Sequence, residues 1–232
     1  MDTEARMKLY DRVIPGIFLE RPNRFIARVQ TENGEEICHV KNTGRCRELL
    51  VPGAPVYLSV SANPARKTRC DLVAVRKGAL LINMDSQAPN RAAGEALPWL
   101  FPGLTRMKPE APLGASRLDF YLEQGEKKTY LEVKGVTLEE NGDALFPDAP
   151  TARGEKHLRE LMRCADAGFG AAVLFVIQMQ GPGRFLPNAR TDPAFARALR
   201  QARDAGVRIL AYDCAVTASD MTLDREIPVI LS

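Results

Sequence analysis

The 232-residue sequence has no apolar run near the roughly 20 residues a membrane helix needs, so neither a membrane span nor a membrane partner is expected. Its first residues, MDTEARMKLYDRV, are charged and lack an apolar core, so no secretory signal is expected. Cysteine is scarce, with five residues at no tight spacing. That argues against a disulfide framework and for reduced thiols in a cytoplasmic protein. Walker loops, H-E-x-x-H and G-x-S-x-G are all missing, and GFGAAV falls short of the full dinucleotide fingerprint. Cys38, His39 and Cys46 have no C-x-x-C pair beside them, and Cys38 and His39 point to opposite faces of a strand, which argues against zinc.

What is present is an ordinary globular composition, 45% hydrophobic and 26% charged. The net charge of +3 is uneven. Residues 1–80 carry 14 Lys and Arg against 9 Asp and Glu, and the remainder carries 18 against 20. A basic first part on a mildly acidic remainder fits a module that binds a polyanion, joined to something else.

The first 85 residues read as about five short strands: GIFLERPNRFIARVQT, EICHVKN, APVYLSVSA, CDLVAVR and ALLINMD. Asn33-Gly34 is a hairpin turn signal. This density of strands suggests an OB-like barrel over residues 1–85. NTGRCRELL, between strands, is expected to form a short helical turn. Basic residues cluster in two loops, Lys41, Arg45 and Arg47 in one, Arg66, Lys67 and Arg69 in the other. These loops are candidates to follow a phosphate backbone, with a solvated rim as the alternative. Tyr57 and Phe25 could stack on bases, but read as core positions.

Residues 86–232 form the second unit. Residues 86–110 hold four prolines and read as a connection with a short helix. A hairpin follows, SRLDFYLEQGEKKTYLEVKG. TARGEKHLRELMRCADAG then sets Leu158, Leu161, Met162 and Ala165 on one helical face, with Gly168 as the stop. AAVLFVIQM and VRILAYD read as buried strands. Between them, Asp192 as N-cap and Pro193 at the first helical position open a helix with Phe195, Leu199 and Ala202 as its apolar stripe. Strand, helix, strand, helix, strand predicts a parallel α/β sheet preceded by an antiparallel hairpin, and an α+β chain overall.

In the hairpin, a Gly125-Glu126 turn makes cross-strand partners sum to 251, so Asp119 lies opposite Glu132. Alternation puts Arg117, Asp119 and Tyr121 on one face of the first strand, Leu118, Phe120 and Leu122 on the other. On the second strand Glu132 and Lys134 share a face. Directly opposed acids destabilise a sheet, so a cation is expected between them, either Lys134 as an ion-pair partner or a metal ion.

Asp followed across a turn by Glu-x-Lys resembles the PD-(D/E)xK nuclease motif. The wider set RFIARV, NTGRCRELL, SRLDF, YLEVKGVTL, FPDAPTARGEKHLREL and TDPAF, in this order, resembles the sugar fermentation stimulation protein family over nearly the whole chain from Arg24. The resemblance implies an N-terminal OB-like domain, a C-terminal restriction-endonuclease-like domain with a mixed sheet, and nucleic acid as partner, DNA in first place. It also carries a regulatory association with sugar metabolism. Asp119, Glu132 and Lys134 take the motif positions, with Leu118 where a proline often precedes the first acid. The implied chemistry is phosphodiester hydrolysis with Mg2+ or Mn2+ on Asp119 and Glu132, and Glu95 as a further ligand. Arg153, Lys156 and His157 are candidate phosphate contacts near the start of a helix, with a helix-surface histidine as the alternative for His157, and Arg117 on the hairpin strand is a further candidate nucleic-acid contact. The competing expectation is a DNA-binding regulator of sugar-metabolism genes that cleaves nothing.

Overall fold

Alternating buried and exposed side chains close the first strands into a barrel. In the computed structural model, which describes residues 8–42, 44–113 and 116–231, β1 (Val13–Asn23), β2 (Ile26–Thr31), β3 (Gly34–Val40), β4 (Pro55–Val60), β5 (Cys70–Lys77) and β6 (Leu80–Asn83) form one sheet in the order β3-β2-β1-β4-β5-β6. A parallel pairing of β3 with β5 closes five of them into the OB barrel, with β6 added beside β5. The stretch read as one element, GIFLERPNRFIARVQT, is two strands, because the chain reverses at Arg24-Phe25. The next turn falls at Glu32-Asn33, with Gly34 at φ +105 opening β3. Phe18, Val29, Leu58 and Leu72 fill the barrel. Residues 1–7 of the charged N-terminus and Thr43 of NTGRCRELL lie outside the described residues, and Leu50 N–H donates to Cys46 O in the expected turn.

The proline-rich stretch is no mere connection. It forms α1 (Ala88–Leu100), with Pro89 in the first turn and Pro98 inside, and then the edge strand β7 (Arg106–Leu113). A proline costs little in a first helical turn, where the N–H has no intrahelical acceptor, or on an edge strand facing away from the ladder. The chain continues through β8 (Ser116–Gln124), β9 (Lys127–Val136), β10 (Leu138–Glu140), β11 (Asp143–Phe146), α2 (Ala152–Asp166), β12 (Gly170–Ile177), β13 (Arg184–Pro187), α3 (Pro193–Asp204), β14 (Arg208–Val216) and β15 (Met221–Glu226).

The second large sheet runs β15-β14-β12-β9-β8-β7. β9, β12 and β14 are parallel, as the strand-helix alternation predicts, and β7, β8 and β15 are antiparallel to their neighbours. A small sheet, β10-β11-β13, was not legible in the sequence. α1 packs on one face of the large sheet with Phe120, Leu131 and Val133, and α2 and α3 pack on the other with Val173 and Phe175. Thr151 Oγ1 caps α2 at Gly154 N–H, and Asp192 caps α3 at Phe195 N–H. The second carboxylate oxygen of Asp192 also accepts from Thr151 N–H at 2.8 Å, tying the two helix starts together.

The α2 and α3 face is continuous with the barrel core in one buried cluster. Polar contacts cross the same boundary. Gln178 Nε2 donates to Asn83 O and Asp85 O, Asn83 N–H donates to Gln178 O, and Lys77 Nζ meets Glu139 Oε2 at 2.6 Å.

Candidate active site and nucleic-acid interface

The turn-based register of the hairpin is the observed one. Phe120 pairs with Leu131 and Gln124 with Lys127, and Gly125 takes φ +61 as the turn requires. The ladder stops before Asp119. On the other side of β8 the β7 pairing also skips Asp119, opposite Glu110 at φ +50. The strand is kinked there, and strict alternation fails. Leu118 packs with the α2 and α3 face, whereas Phe120 and Leu122 pack with the α1 face. The three residues expected on one face are therefore divided.

The kink frees the Asp119 carboxylate to replace a backbone acceptor. Its Oδ2 accepts from Val133 N–H at 2.7 Å, and its Oδ1 accepts from Asn90 Nδ2, in the first turn of α1, at 2.8 Å. Gly135 lets α1 come this close, since a Cβ there would lie 2.7 Å from Pro89 and 2.5 Å from the Gln178 side-chain oxygen. Glu132 is almost fully buried. Its Oε1 accepts from Lys134 Nζ at 2.6 Å and pairs with His157 Nδ1 from α2. Its Oε2 is buried with no hydrogen-bond partner among the described residues.

Burial, reinforced by repulsion from Glu132, pushes the Asp119 carboxyl above the usual range. Burial also acts to raise Glu132, but His157 and Lys134 outweigh it and hold that carboxyl low. Two adjacent acids thus differ in their hold on a proton, Asp119 holding it more tightly than an ordinary aspartate and Glu132 less tightly than an ordinary glutamate.

The donors fit a hard divalent cation in one respect and limit it in another. The orphaned Oε2 of Glu132 and the Asp119 carboxylate are the oxygen type such ions select. No group of three or more His, Cys, Asp and Glu side chains able to hold a metal occurs among the described residues. A cation here would therefore complete its shell with backbone carbonyls, water and substrate oxygens, as Mg2+ commonly does.

Glu95 does not join the cluster. It lies five residues beyond Asn90, turned away on α1, where it meets Arg91 and lines a cavity with Trp99 and Leu223. Asn90 is the α1 residue that reaches Asp119, and no local pattern marks it in the sequence. His157 is enclosed against Glu132 rather than open to a phosphate, because α2 lays its apolar stripe on the sheet directly over β9. Arg153 is exposed at the start of α2, Lys156 leans on Glu160 at 3.7 Å, and Arg117 meets Glu110 at 3.0 Å on the edge.

The expected basic cluster of the barrel is divided too. Lys41 turns to Asp85 at 2.6 Å, on a cavity of about 510 Å3 between the barrel and the start of α1. Arg66 lines the same cavity and is held by both oxygens of Asp71, while Lys67 is exposed beside it. Arg45 and Arg47 face a separate cavity of about 310 Å3 with Arg21, Asn23 and Arg24. Arg21 is structural, since its guanidinium donates to the carbonyls of Arg24, Asn42, Gly44 and Arg45 and fixes that loop. Phe25 is not core. It is half exposed, with the Arg24 guanidinium 6.0 Å from its ring centre. The run ERPNRF, a single aromatic directly after an arginine, was the available signal. Cys38 and Cys46 are buried and free, their thiols pushed up to about 12 by burial, and His39 faces Asp71 instead.

A closed OB barrel joined to a mixed sheet with Asp119, Glu132 and Lys134 at its centre defines a two-domain protein of OB plus restriction-endonuclease-like class. Sequence comparison agrees: residues 19–84 match the family model described as SfsA N-terminal OB domain, and residues 87–220 the sugar fermentation stimulation protein RE domain. The chain belongs to the sugar fermentation stimulation protein family. It is 56% identical over 212 residues to the sugar fermentation stimulation protein homolog of Desulfitobacterium hafniense, covering 90% of this chain and 92% of that one. It is 50% identical over 224 residues to the homolog of Ruminiclostridium cellulolyticum, covering 96% and 99%. The structure of Pyrococcus furiosus SfsA in complex with Ca2+ superposes with a TM-score of 0.85 at 30% identity, covering 97% of this chain and all of that one. No helix among the described residues is long and apolar enough to cross a membrane.

Proposed function

We propose that this protein binds DNA through its barrel and hydrolyses phosphodiester bonds at Asp119, Glu132 and Lys134 with Mg2+ or Mn2+. The observation that carries this reading is Glu132, buried and held by Lys134 and His157 through one oxygen while the other has no hydrogen-bond partner among the described residues. A purely structural acid would be expected to use both oxygens, because leaving one desolvated costs free energy. The relative that carries Ca2+ in its structure supports a divalent ion on this family's scaffold.

Each side chain has a distinct part. Asp119 and the free Oε2 of Glu132 would hold the cation, and Val133 N–H and Asn90 fix the Asp119 carboxylate in place. His157 fixes Glu132 Oε1 from above. Lys134, beside the same oxygen, orients the attacking water or neutralises charge that develops on the phosphoryl group. The bound ion supplies charge stabilisation at phosphoryl oxygens and a water of lowered pKa.

The test uses labelled single- and double-stranded DNA and RNA with Mg2+, Mn2+ or chelator. Cleavage is expected with metal only, and it should vanish in Asp119→Asn, Glu132→Gln and Lys134→Ala while binding survives. Binding without cleavage under every metal condition would replace the nuclease by a non-catalytic DNA-binding regulator. Activity indifferent to chelator would move the chemistry elsewhere.

A further inference from the structure

A second charged and aromatic surface lies beside the candidate catalytic residues, outside the barrel. Tyr121 of β8, Tyr130 of β9 and Phe169, just after α2, form a run of rings with centres 5.2 and 5.6 Å apart. They line a cavity of about 400 Å3 together with Arg106, Lys108 and Lys128. Phe169 is 38% exposed, its ring packed edge-on against Tyr130 with the rest open to solvent. Glu123 is the one acid on this lining, and it lies 3.6 Å from Arg106. Lys128 stands opposite Glu123 in the β8–β9 ladder, and Lys108 opposite Tyr121 in the β7–β8 ladder.

The position of this surface gives it a direction. Tyr130 and Glu132 share one face of β9, two residues and so roughly 6.6 Å apart along the strand. At its other end the cavity reaches Ala111 and Pro112, which pair with Leu118 and Arg117, the two residues just before the Asp119 kink. Rings that offer a face, with cations between them and a net positive lining, match a strand whose bases are unpaired. A duplex hides its base faces in the stack and offers only phosphates to such a patch.

We propose that this surface holds a single-stranded stretch of the nucleic-acid substrate, with bases on Phe169 and Tyr121 and phosphates on Lys108 and Lys128, leading to Asp119 and Glu132. The assignment rests on the nuclease reading for its direction, but it can be tested without cleavage. Anisotropy titrations of the full chain in chelator compare three labelled DNAs: a blunt duplex, the same duplex with an oligo-thymidine overhang, and the same duplex with an abasic overhang of equal length. The thymidine overhang should bind most tightly. Phe169→Ala should weaken it about tenfold, to the level of the abasic overhang, and Phe169→Trp should keep it. Lys108→Ala with Lys128→Ala should weaken both overhangs alike and lower the salt slope by about 0.7 for each phosphate that the variant no longer neutralises. Equal affinity for all three DNAs, or an overhang affinity untouched by Phe169→Ala, overturns the proposal whether or not the protein cuts DNA. Overhang preference in a protein that cleaves under no metal condition upholds this surface and removes the nuclease reading instead.

Discussion

The outer surface of the barrel and the inside of the large sheet use charge in opposite ways. On the barrel, Arg28 bridges Glu20 and Glu35, and Arg69 meets Glu36, all on the outside. Where the large sheet meets α2, Glu132 of β9 and His157 and Glu160 of α2 are buried. Exposed ion pairs gain little, because water screens the attraction and long side chains lose entropy to hold it. Buried charges are costly unless fully partnered, and replacing such a pair by apolar residues is often neutral or stabilising. A charge retained inside, with one oxygen left unpartnered, is therefore not explained by stability alone, whereas the outer pairs of the barrel cost and gain little.

The sharpest way to break this contrast is to remove one buried partner. His157→Ala leaves Glu132 with Lys134 alone at Oε1 and should cost on the order of 3 kcal/mol, read by denaturant unfolding. His157→Gln, which can still donate, should recover part of the loss. No loss in either variant would mean the pair is solvated and that the inside and outside charges do not differ in kind.

The barrel side is tested by salt. Neutralising Arg24, Arg45 and Arg47 together should flatten the plot of log affinity for duplex DNA against log salt by roughly two units or more, at about 0.9 per phosphate contact. An unchanged slope would move the polyanion surface off the barrel.

Between the extremes stands the pair that joins the two regions. Lys77 lowers the Glu139 carboxyl by hydrogen bonding and charge, with a further hydrogen bond from Gly142 N–H. A carboxyl depressed in the folded state adds stability that is fully present above its unfolded pKa and is lost as pH falls through its folded one. Melting temperature should therefore fall as the pH drops below the ordinary glutamate range, and Glu139→Gln should melt lower at neutral pH with a flatter acid limb. Identical limbs in the two proteins would show that the junction does not depend on this charge.

The smallest effect belongs to Arg28→Ala. Its two carboxylate partners are at the surface, and its melting midpoint should match wild type. A clear loss would show the barrel rim to be as organised as the buried site.

Local signals were legible wherever neighbours along the chain set the geometry. Gly125-Glu126 fixed the β8–β9 register, because a two-residue turn allows few pairings. Asp192-Pro193 and Gly168 marked the ends of α3 and α2, where backbone groups need caps. The alternation from β9 to β14 gave the parallel core of the sheet, and the motif string gave the family. The proline-rich stretch misled, since proline is compatible with a first helical turn and an edge strand, and only packing decides whether either forms. Tertiary structure alone decided that Asn90, not Glu95, meets Asp119, because that depends on which side of α1 faces the sheet. It alone enclosed His157 over Glu132 and divided Lys41 from Arg45 and Arg47. Each of these depends on how distant segments are brought together and rotated, and no neighbour in the sequence carries that information.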